Sequence, residues 1–174
     1  MDYSSYIKAI KKHDEQAFGA VYHETKHAVY AMILPIVKDR SLAEDVMQET
    51  YIKMLKSIDQ YQKKYKFINW LLTIAKNTAL DELRKRSHDS SVSPLDTDDL
   101  FIAKESSIET RLITEHYLSL IPDEEKQIVL LKVVGDLKHK EIAQLLGKPL
   151  GTITYLYNKA IKTMQRYERS ERDD

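Results

Sequence analysis

The chain of 174 residues has no cysteine and contains only four glycines and four prolines. The absence of cysteine excludes a disulfide, a thiolate zinc site and a cysteine nucleophile. So few glycines and prolines disfavour a sheet-rich fold, which needs many tight turns. The longest apolar stretch, residues 28–37, falls well short of the roughly 20 residues that span a membrane, and the N-terminus shows no signal-peptide pattern. We therefore expect a helical, cytoplasmic protein without membrane insertion.

The net charge is zero, with 27 basic and 27 acidic residues, but the charges are not evenly spread. Residues 56–88 hold eight basic and three acidic side chains, and residues 138–169 hold seven basic and two acidic ones. Between them, residues 89–109 hold one basic and six acidic side chains. Two basic segments on either side of an acidic one predict a protein that touches a nucleic acid at two places.

Helical spacing of apolar residues predicts helices over residues 14–38, from Ser41 onward, and over residues 67–86. Ser41 with Glu44 reads as a capping box, and Pro35 is expected to kink the end of the first long helix. Residues 89–106 are rich in serine and acidic side chains, which cannot bury enough apolar surface to fold alone. We predict an all-α fold with two small helical domains, residues 1–88 and 107–174, joined by a flexible acidic linker at 89–106.

Residues 138–162 have the form of a helix-turn-helix. Ala143 is small enough for two helices to cross closely, and Gly147 supplies a left-handed turn at low cost. Leu150 and Ile153 are expected to bury against the preceding helix, which leaves the second helix free to enter a major groove. An ordinary helical hairpin with a solvated basic face is the alternative. The side chains predicted to face DNA are Lys140, Thr152, Thr154, Tyr155, Asn158, Lys159 and Lys162.

Three segments in order resemble one protein family. Residues 42–51 (LAEDVMQETY), residues 67–85 (FINWLLTIAKNTALDELRK) and the segment from Ile121-Pro122 through Gly151-Thr152 are similar to extracytoplasmic-function sigma factors, the small alternative sigma factors of bacterial RNA polymerase. The resemblance implies a sigma-two-like helical bundle and a sigma-four-like helix-turn-helix domain. It implies a protein that binds core RNA polymerase and promoter DNA, and it leaves room for an inhibitory anti-sigma factor.

The first of these segments resembles the family helix that docks on the polymerase clamp. Asp45, Gln48 and Glu49 stand at i, i+3 and i+4, so they share one face of a helix. That acidic and amide-bearing face could pair with basic residues of the polymerase. Alternatively, these three residues form an ordinary solvent-exposed surface with no role in docking.

The second segment resembles the helix that handles the minus-ten promoter element. The resemblance implies that it and the preceding loop meet the melted non-template strand, where aromatic rings stack on unpaired bases and lysines follow the backbone. Alternatively, Tyr61 and Tyr65 anchor the loop on the core, to which we assign Trp70. The implied contacts are Tyr61, Lys63, Lys64, Tyr65, Asn77, Asp81, Arg84 and Lys85.

The last helix departs from the family pattern, because Leu156 and Ile161 stand where arginines are usual. Fewer arginines would weaken DNA binding and lower its salt dependence, and the two apolar side chains could instead face a partner such as an anti-sigma factor.

Two other functions are weighed against this one. A stand-alone helix-turn-helix repressor would explain residues 122–168 but gives no role to the segments before the linker. His23-Glu24-Thr25-Lys26-His27 matches the H-E-x-x-H pattern of zinc peptidases, but no third ligand is placed for it. We therefore expect no catalytic residue, metal or cofactor.

Overall fold

The computed structural model describes residues 3–63, 66–88 and 116–173, and these residues form helices and loops without a strand. The predicted acidic linker lies outside the described residues, and the domain boundaries stay a prediction. The all-α fold with two groups of helices is confirmed. The helices are α1 (Ser4–Ile10), α2 (Glu15–Val37), α3 (Arg40–Ser57), α4 (Phe67–His88), α5 (Asp123–Val133), α6 (His139–Leu146) and α7 (Leu150–Asp173), with a 3-10 turn at Ile58–Gln60 and a helical stretch at 116–119.

The long helix α2 begins and ends where its sequence provides caps. Asp14 has extended backbone angles, and its carboxylate accepts a hydrogen bond from the amide of Ala17 at 3.0 Å. Such a cap satisfies an amide that has no partner inside the helix. The helix continues through Pro35 and stops at Lys38, whose left-handed backbone turns the chain.

The cap of α3 differs from the predicted one. Asp39, in an extended conformation, accepts from the amide of Leu42 at 2.8 Å, so the helix begins at Arg40 and Ser41 lies inside its first turn. The capping box predicted from Ser41 was wrong, because an aspartate two residues earlier already fills that role.

The core of the first domain lies where α1, α3 and α4 pack against α2. Fully buried side chains of three helices meet there, among them Val21, Met54 and Leu71. Thr25 and Tyr51 are buried beside them with their hydroxyl oxygens 2.8 Å apart. This desolvation raises the pKa of the Tyr51 phenol well above its ordinary value.

The second domain contains the predicted helix-turn-helix. Gly147 ends α6 with a left-handed backbone (φ 68°), and Ile142 and Ile153 are fully buried between the helices. Leu150, expected to be buried, is 49% exposed, because it stands at the first position of α7, ahead of the packed face.

Gly135 follows α5, but its backbone is not left-handed. Asp136, one residue later, has the positive φ. Glycine is needed at this position because a Cβ atom would lie 2.7 Å from the carbonyl oxygen of Leu131. The chain therefore passes its own helix too closely for any side chain.

The two groups of helices are in contact with each other. Helix α2 packs along α5, and α4 touches α6. Apolar side chains of both groups belong to one continuous buried cluster.

Candidate polymerase and nucleic-acid interfaces

The predicted docking residues lie on the outer face of α3. Asp45 and Gln48 are exposed, and Glu49 is half-buried with its carboxylate 2.9 Å from the ammonium of Lys53. Two exposed apolar residues lie on the same outer face of α3, namely Ile52 (51% exposed) and Leu55 (41% exposed). Neither was among the predicted docking residues, although they follow Asp45 at seven and ten residues, a spacing that places them near its face.

The loop before α4 is anchored by an aromatic cluster. Tyr61 is half-buried, and its ring centroid lies 5.6 Å from that of Phe67 and 5.2 Å from that of Trp70. Trp70 is itself half-buried against the core, as expected. Lys63 is exposed, whereas Lys64 and Tyr65 lie outside the described residues. The structure therefore places Tyr61 in the anchoring position that the alternative prediction described.

The implied minus-ten residues of α4 share one exposed face. Asn77, Asp81, Arg84 and Lys85 are all exposed. Arg84 donates to the Asp81 carboxylate at 3.1 Å. An amide, a carboxylate and cations in one row can make hydrogen bonds to base edges and to phosphates.

Lys66, just before α4, was not among the predicted contacts. Its ammonium forms an ion pair with Glu141 of α6, in the second domain. Burial raises the pKa of the Glu141 carboxyl, but hydrogen bonds from Lys66 and from the Lys138 amide outweigh that effect and lower it. No sequence signal joins these residues, which stand 75 positions apart.

The predicted DNA-reading face of α7 is exposed at five positions. Thr152, Asn158, Lys159 and Lys162 are exposed, and Tyr155 is 64% exposed. Arg166 continues the row one turn beyond Lys162 and was missed. Lys140, at the start of α6, is also exposed.

Thr154 lies at the edge of this face and is half-buried. Its hydroxyl lies 3.2 Å from Nδ1 of His139. The His139 ring in turn packs against Tyr157, with centroids 4.9 Å apart. In this arrangement Thr154 joins α7 to the start of α6.

Lys159 forms an ion pair inside the domain. Its ammonium lies 2.6 Å from the carboxylate of Glu125, a residue of α5 that is only 2% exposed. The hydrogen bond to Glu125 raises the pKa of Lys159. A buried carboxylate needs such a partner, so this lysine neutralises Glu125 and joins α7 to α5.

The two residues that replace the usual arginines differ in their surroundings. Leu156 is half-buried and packs against the core, which accounts for its apolar character and leaves little of it for a partner. Ile161 is half-buried as well.

The H-E-x-x-H residues lie near the middle of α2. His23 and Glu24 are exposed, and the His23 ring meets the edge of Tyr22 at 5.8 Å. Within the part of the chain that the structure describes, no three His, Asp or Glu side chains are grouped so as to hold a metal ion. None of the described helices is long and apolar enough to cross a membrane.

Comparisons with known proteins show the family to which the chain belongs. Residues 21–88 match the family model of Sigma-70 region 2, and residues 111–164 match that of Sigma-70 region 4. The chain is 25% identical to the sigma factor SigW of Bacillus subtilis, over 94% of this chain and 95% of the relative. It is 27% identical to SigK of Mycobacterium bovis, over 94% and 92%.

Solved structures show the same fold. A sigma factor RpoE from Bartonella quintana, solved with the anti-sigma factor NepR, aligns with a TM-score of 0.69 at 20% identity, covering 87% of this chain and 96% of that one. CnrH, solved with the cytosolic domain of CnrY, aligns with a TM-score of 0.64 at 14% identity, covering 95% and 96%. The chain belongs to the extracytoplasmic-function group of the sigma-70 family, the sigma factors that bind core RNA polymerase and direct it to specific promoters.

Proposed function

We propose that this sigma factor docks on core polymerase through α3 and reads its two promoter elements with α4 and α7, in the cytoplasm and without catalysis of its own. The observation that supports this most directly is the exposure of three chemically distinct faces on three different helices. The α3 face is acidic with an apolar end, whereas the other two carry amides, hydroxyls and cations.

The α3 face has the composition of a protein interface. Ile52 and Leu55 would form the apolar centre, and Asp45 and Gln48 the polar rim that pairs with basic residues of the polymerase. Burying two large apolar side chains supplies affinity, and the acids supply orientation and association rate.

The α4 face would hold the melted minus-ten strand. Asn77 and Asp81 offer donors and acceptors to unpaired base edges, and Arg84 and Lys63 offer cations to the backbone. Because this binding energy is gained only when the strands separate, it favours the open duplex without ATP. Tyr61, whose ring packs against Phe67 and Trp70, would border the same strand.

The α7 face would enter the major groove of the minus-thirty-five element. Thr152, Tyr155 and Asn158, which are exposed, would meet base edges, and Lys162 and Lys140 would meet phosphates. Lys159 would act mainly by holding α7 on Glu125.

An inhibitory partner is part of the proposal. The solved RpoE was captured with an anti-sigma factor, and CnrH with the cytosolic domain of CnrY. A cleft of about 720 Å³ lies between the two domains of this chain, lined by Tyr3, Phe67, Lys66, Val134 and Glu141 among others. A partner segment in that cleft would touch both domains at once. A purified candidate that suppresses transcription by the wild type, but not by a Val134→Glu variant, would support this site.

Run-off transcription with purified core polymerase tests the central proposal. We expect specific transcripts with the wild type, and their loss in an Asp45→Ala/Ile52→Ala variant whose affinity for core falls at least about tenfold, or roughly 1.4 kcal/mol. Glu15→Ala, an exposed acid on α2, is the matched control and should behave as wild type. Normal core binding by the double variant would refute docking through α3.

A further inference from the structure

We infer that His139 sets a base preference of the minus-thirty-five element, because it holds the Thr154 hydroxyl in an arrangement that donates a hydrogen bond to DNA. The inference deepens the proposed function of α7 and rests on it. Thr154 would make the contact with the base, and His139, which contacts Thr154 from α6, would act as a positioning residue.

The His139 side chain is held in place by the start of α6 and by Tyr157. His139 is the first residue of α6, and the preceding turn is closed by Glu141, whose carboxylate accepts from the Lys138 amide at 2.8 Å. The imidazole ring packs on Tyr157 with ring centroids 4.9 Å apart. In this orientation Nδ1 lies 3.2 Å from Oγ1 of Thr154.

The second ring nitrogen of His139 indicates which of these two atoms donates. Nε2 is buried and has no hydrogen-bond partner among the described residues. A neutral imidazole carries its one proton on either nitrogen. A proton on Nε2 would leave a buried N–H without an acceptor, which is rarer in folded proteins than an unpaired acceptor. The proton therefore belongs on Nδ1, which donates to Thr154, and an imidazolium would donate from the same atom.

The Thr154 hydroxyl keeps its own hydrogen for another partner. Threonines inside helices can donate to the carbonyl four residues earlier, and Thr73 and Thr163 do so at 2.8 and 3.1 Å. Within the described part of the chain, Thr154 does not make this bond and pairs with His139 instead. A hydroxyl has one hydrogen and two acceptor sites. Because His139 fills an acceptor site, the hydrogen remains free to be donated.

Thr154 stands where that hydrogen can meet a base. It is half-buried at the edge of the DNA-reading face of α7, and the exposed Asn158 follows one turn later. In the major groove a donor favours N7 and O6 of guanine, N7 of adenine or O4 of thymine, whereas cytosine presents an amino donor. We expect guanine to be preferred most, since both of its groups in the major groove accept.

Nitrogen NMR of the protein tests the hydrogen bond without DNA. At about pH 8, where ordinary imidazoles are neutral, long-range correlations between ring protons and ring nitrogens distinguish the protonated nitrogen from the bare one. The signals that disappear in His139→Asn identify His139. We expect its proton on Nδ1, and a proton on Nε2 alone would overturn the inference.

Binding of the holoenzyme to a duplex pool tests the base preference. The pool carries a promoter identified by run-off transcription, with its minus-thirty-five element randomised, and the bound duplexes are sequenced. Thr154→Val should reduce the preference at one position by roughly fivefold, the effect of one hydrogen bond. His139→Phe, which keeps a ring beside Tyr157 but has no N–H, should reduce it at the same position. His139→Asn, whose amide nitrogen can take the place of Nδ1, should retain most of it.

Thr163→Val is the matched control, because the Thr163 hydroxyl donates within its own helix, and it should leave every position unchanged. Thermal unfolding of each variant shows whether the domain is still folded, and Thr154→Val decides the question if His139→Phe does not fold. An unchanged preference in Thr154→Val or in a folded His139→Phe would overturn the inference, as would a preference for cytosine at that position. A wild-type holoenzyme without any preference in this element would refute the proposed function of α7, and the inference with it, even with the proton on Nδ1.

Discussion

At the scale of single residues, a buried polar contact of the first domain joins Tyr51 to Thr25. The Thr25 hydroxyl also lies 2.7 Å from the carbonyl oxygen of Val21, to which it donates. Replacing Tyr51 with phenylalanine therefore leaves Thr25 with a partner. We expect Tyr51→Phe to lower the free energy of unfolding by about 1 kcal/mol at neutral pH, the value of an ordinary hydrogen bond.

The same substitution should change the response to alkali. The pKa of Tyr51 is raised in the folded chain, so the folded state holds its proton more tightly than the unfolded state does. That contribution is present below about pH 10, the ordinary tyrosine pKa, and is lost as the pH rises above it. Urea unfolding between pH 8 and pH 11 should show a shallower loss for Tyr51→Phe than for wild type. Tyr155→Phe, at an exposed position, should keep the wild-type slope; equal slopes in all three proteins would contradict the assignment.

Two lysines of α7 have different surroundings, so replacing one should weaken DNA binding and replacing the other should lower stability. Lys162 is exposed, so Lys162→Ala should weaken holoenzyme binding equally at every minus-thirty-five sequence and reduce the salt slope by about 1. Lys159→Ala leaves the Glu125 carboxylate buried without its cation. It should lower the thermal unfolding temperature, which Lys162→Ala should not.

A double replacement checks the reason for that difference. Glu125→Met/Lys159→Met removes both charges, and a buried ion pair replaced by apolar side chains often leaves stability unchanged. We expect it to recover most of the stability lost in Lys159→Ala. If the double variant is as unstable as the single one, the ion pair does not explain the loss.

At the scale of elements, the start of α3 distinguishes two candidate caps. Asp39 accepts from the amide of Leu42, so Asp39→Ala should cost about 1 kcal/mol of stability. Ser41→Ala, inside the first turn, should change stability by less than about 0.5 kcal/mol, as surface substitutions usually do. Urea unfolding of the two variants decides between them, and the reverse order of costs would restore the predicted capping box.

The helices were largely predictable because their signals are local. Apolar spacing located α2, α4 and the helix-turn-helix, and Gly147 marked its turn correctly. Local signals failed where two candidates competed, as at Asp39 and Ser41, or where a glycine was needed for close approach, as at Gly135.

The exposed helix faces of the site could be predicted from the sequence, but the contacts between helices could not. Helical spacing placed Asp45 and Gln48 on one exposed face of α3 and Asn77 and Asp81 on one exposed face of α4, as the structure has them. It could not show that Lys159 pairs with Glu125, because that contact crosses 34 positions and depends on how α5 packs. Roles in binding at these positions stay predictions.

At the scale of the whole molecule, the unpredicted feature is the packing of one domain on the other. Charge segments indicated two basic regions and suggested that they act apart. The contacts that join the domains cross 75 positions between Lys66 and Glu141 and 85 between Lys38 and Asp123. Neither pair leaves a pattern in the sequence, since each is one of many possible matches between opposite charges.

Acid should loosen this packing. Hydrogen bonding to Lys38 lowers the pKa of Asp123, and the Glu141 pKa is also lowered, because its bonds to Lys66 and Lys138 outweigh its burial. A lowered carboxyl pKa stabilises the packing of the two domains at pH values above the ordinary carboxyl pKa of about 4. This stabilisation is lost as the pH falls below that value. The charged groups around the two acids are Lys38, Lys126, Lys66 and Lys138, with Glu24, Lys63 and Asp136 on the same cleft.

Energy transfer between dyes on Lys12→Cys in the first domain and Gln165→Cys on α7, both at exposed positions, should therefore fall as the pH is lowered from about 5 to 3, before the helical signal is lost. Each exposed ion pair contributes only about 0–1 kcal/mol, so the change should be gradual. In Asp123→Asn/Glu141→Gln, transfer should already be lower at pH 7 and should change little on acidification, since neither side chain then titrates. A variant that responds to acid as strongly as wild type would show that other groups control the opening, and that these two ion pairs do not hold the domains together.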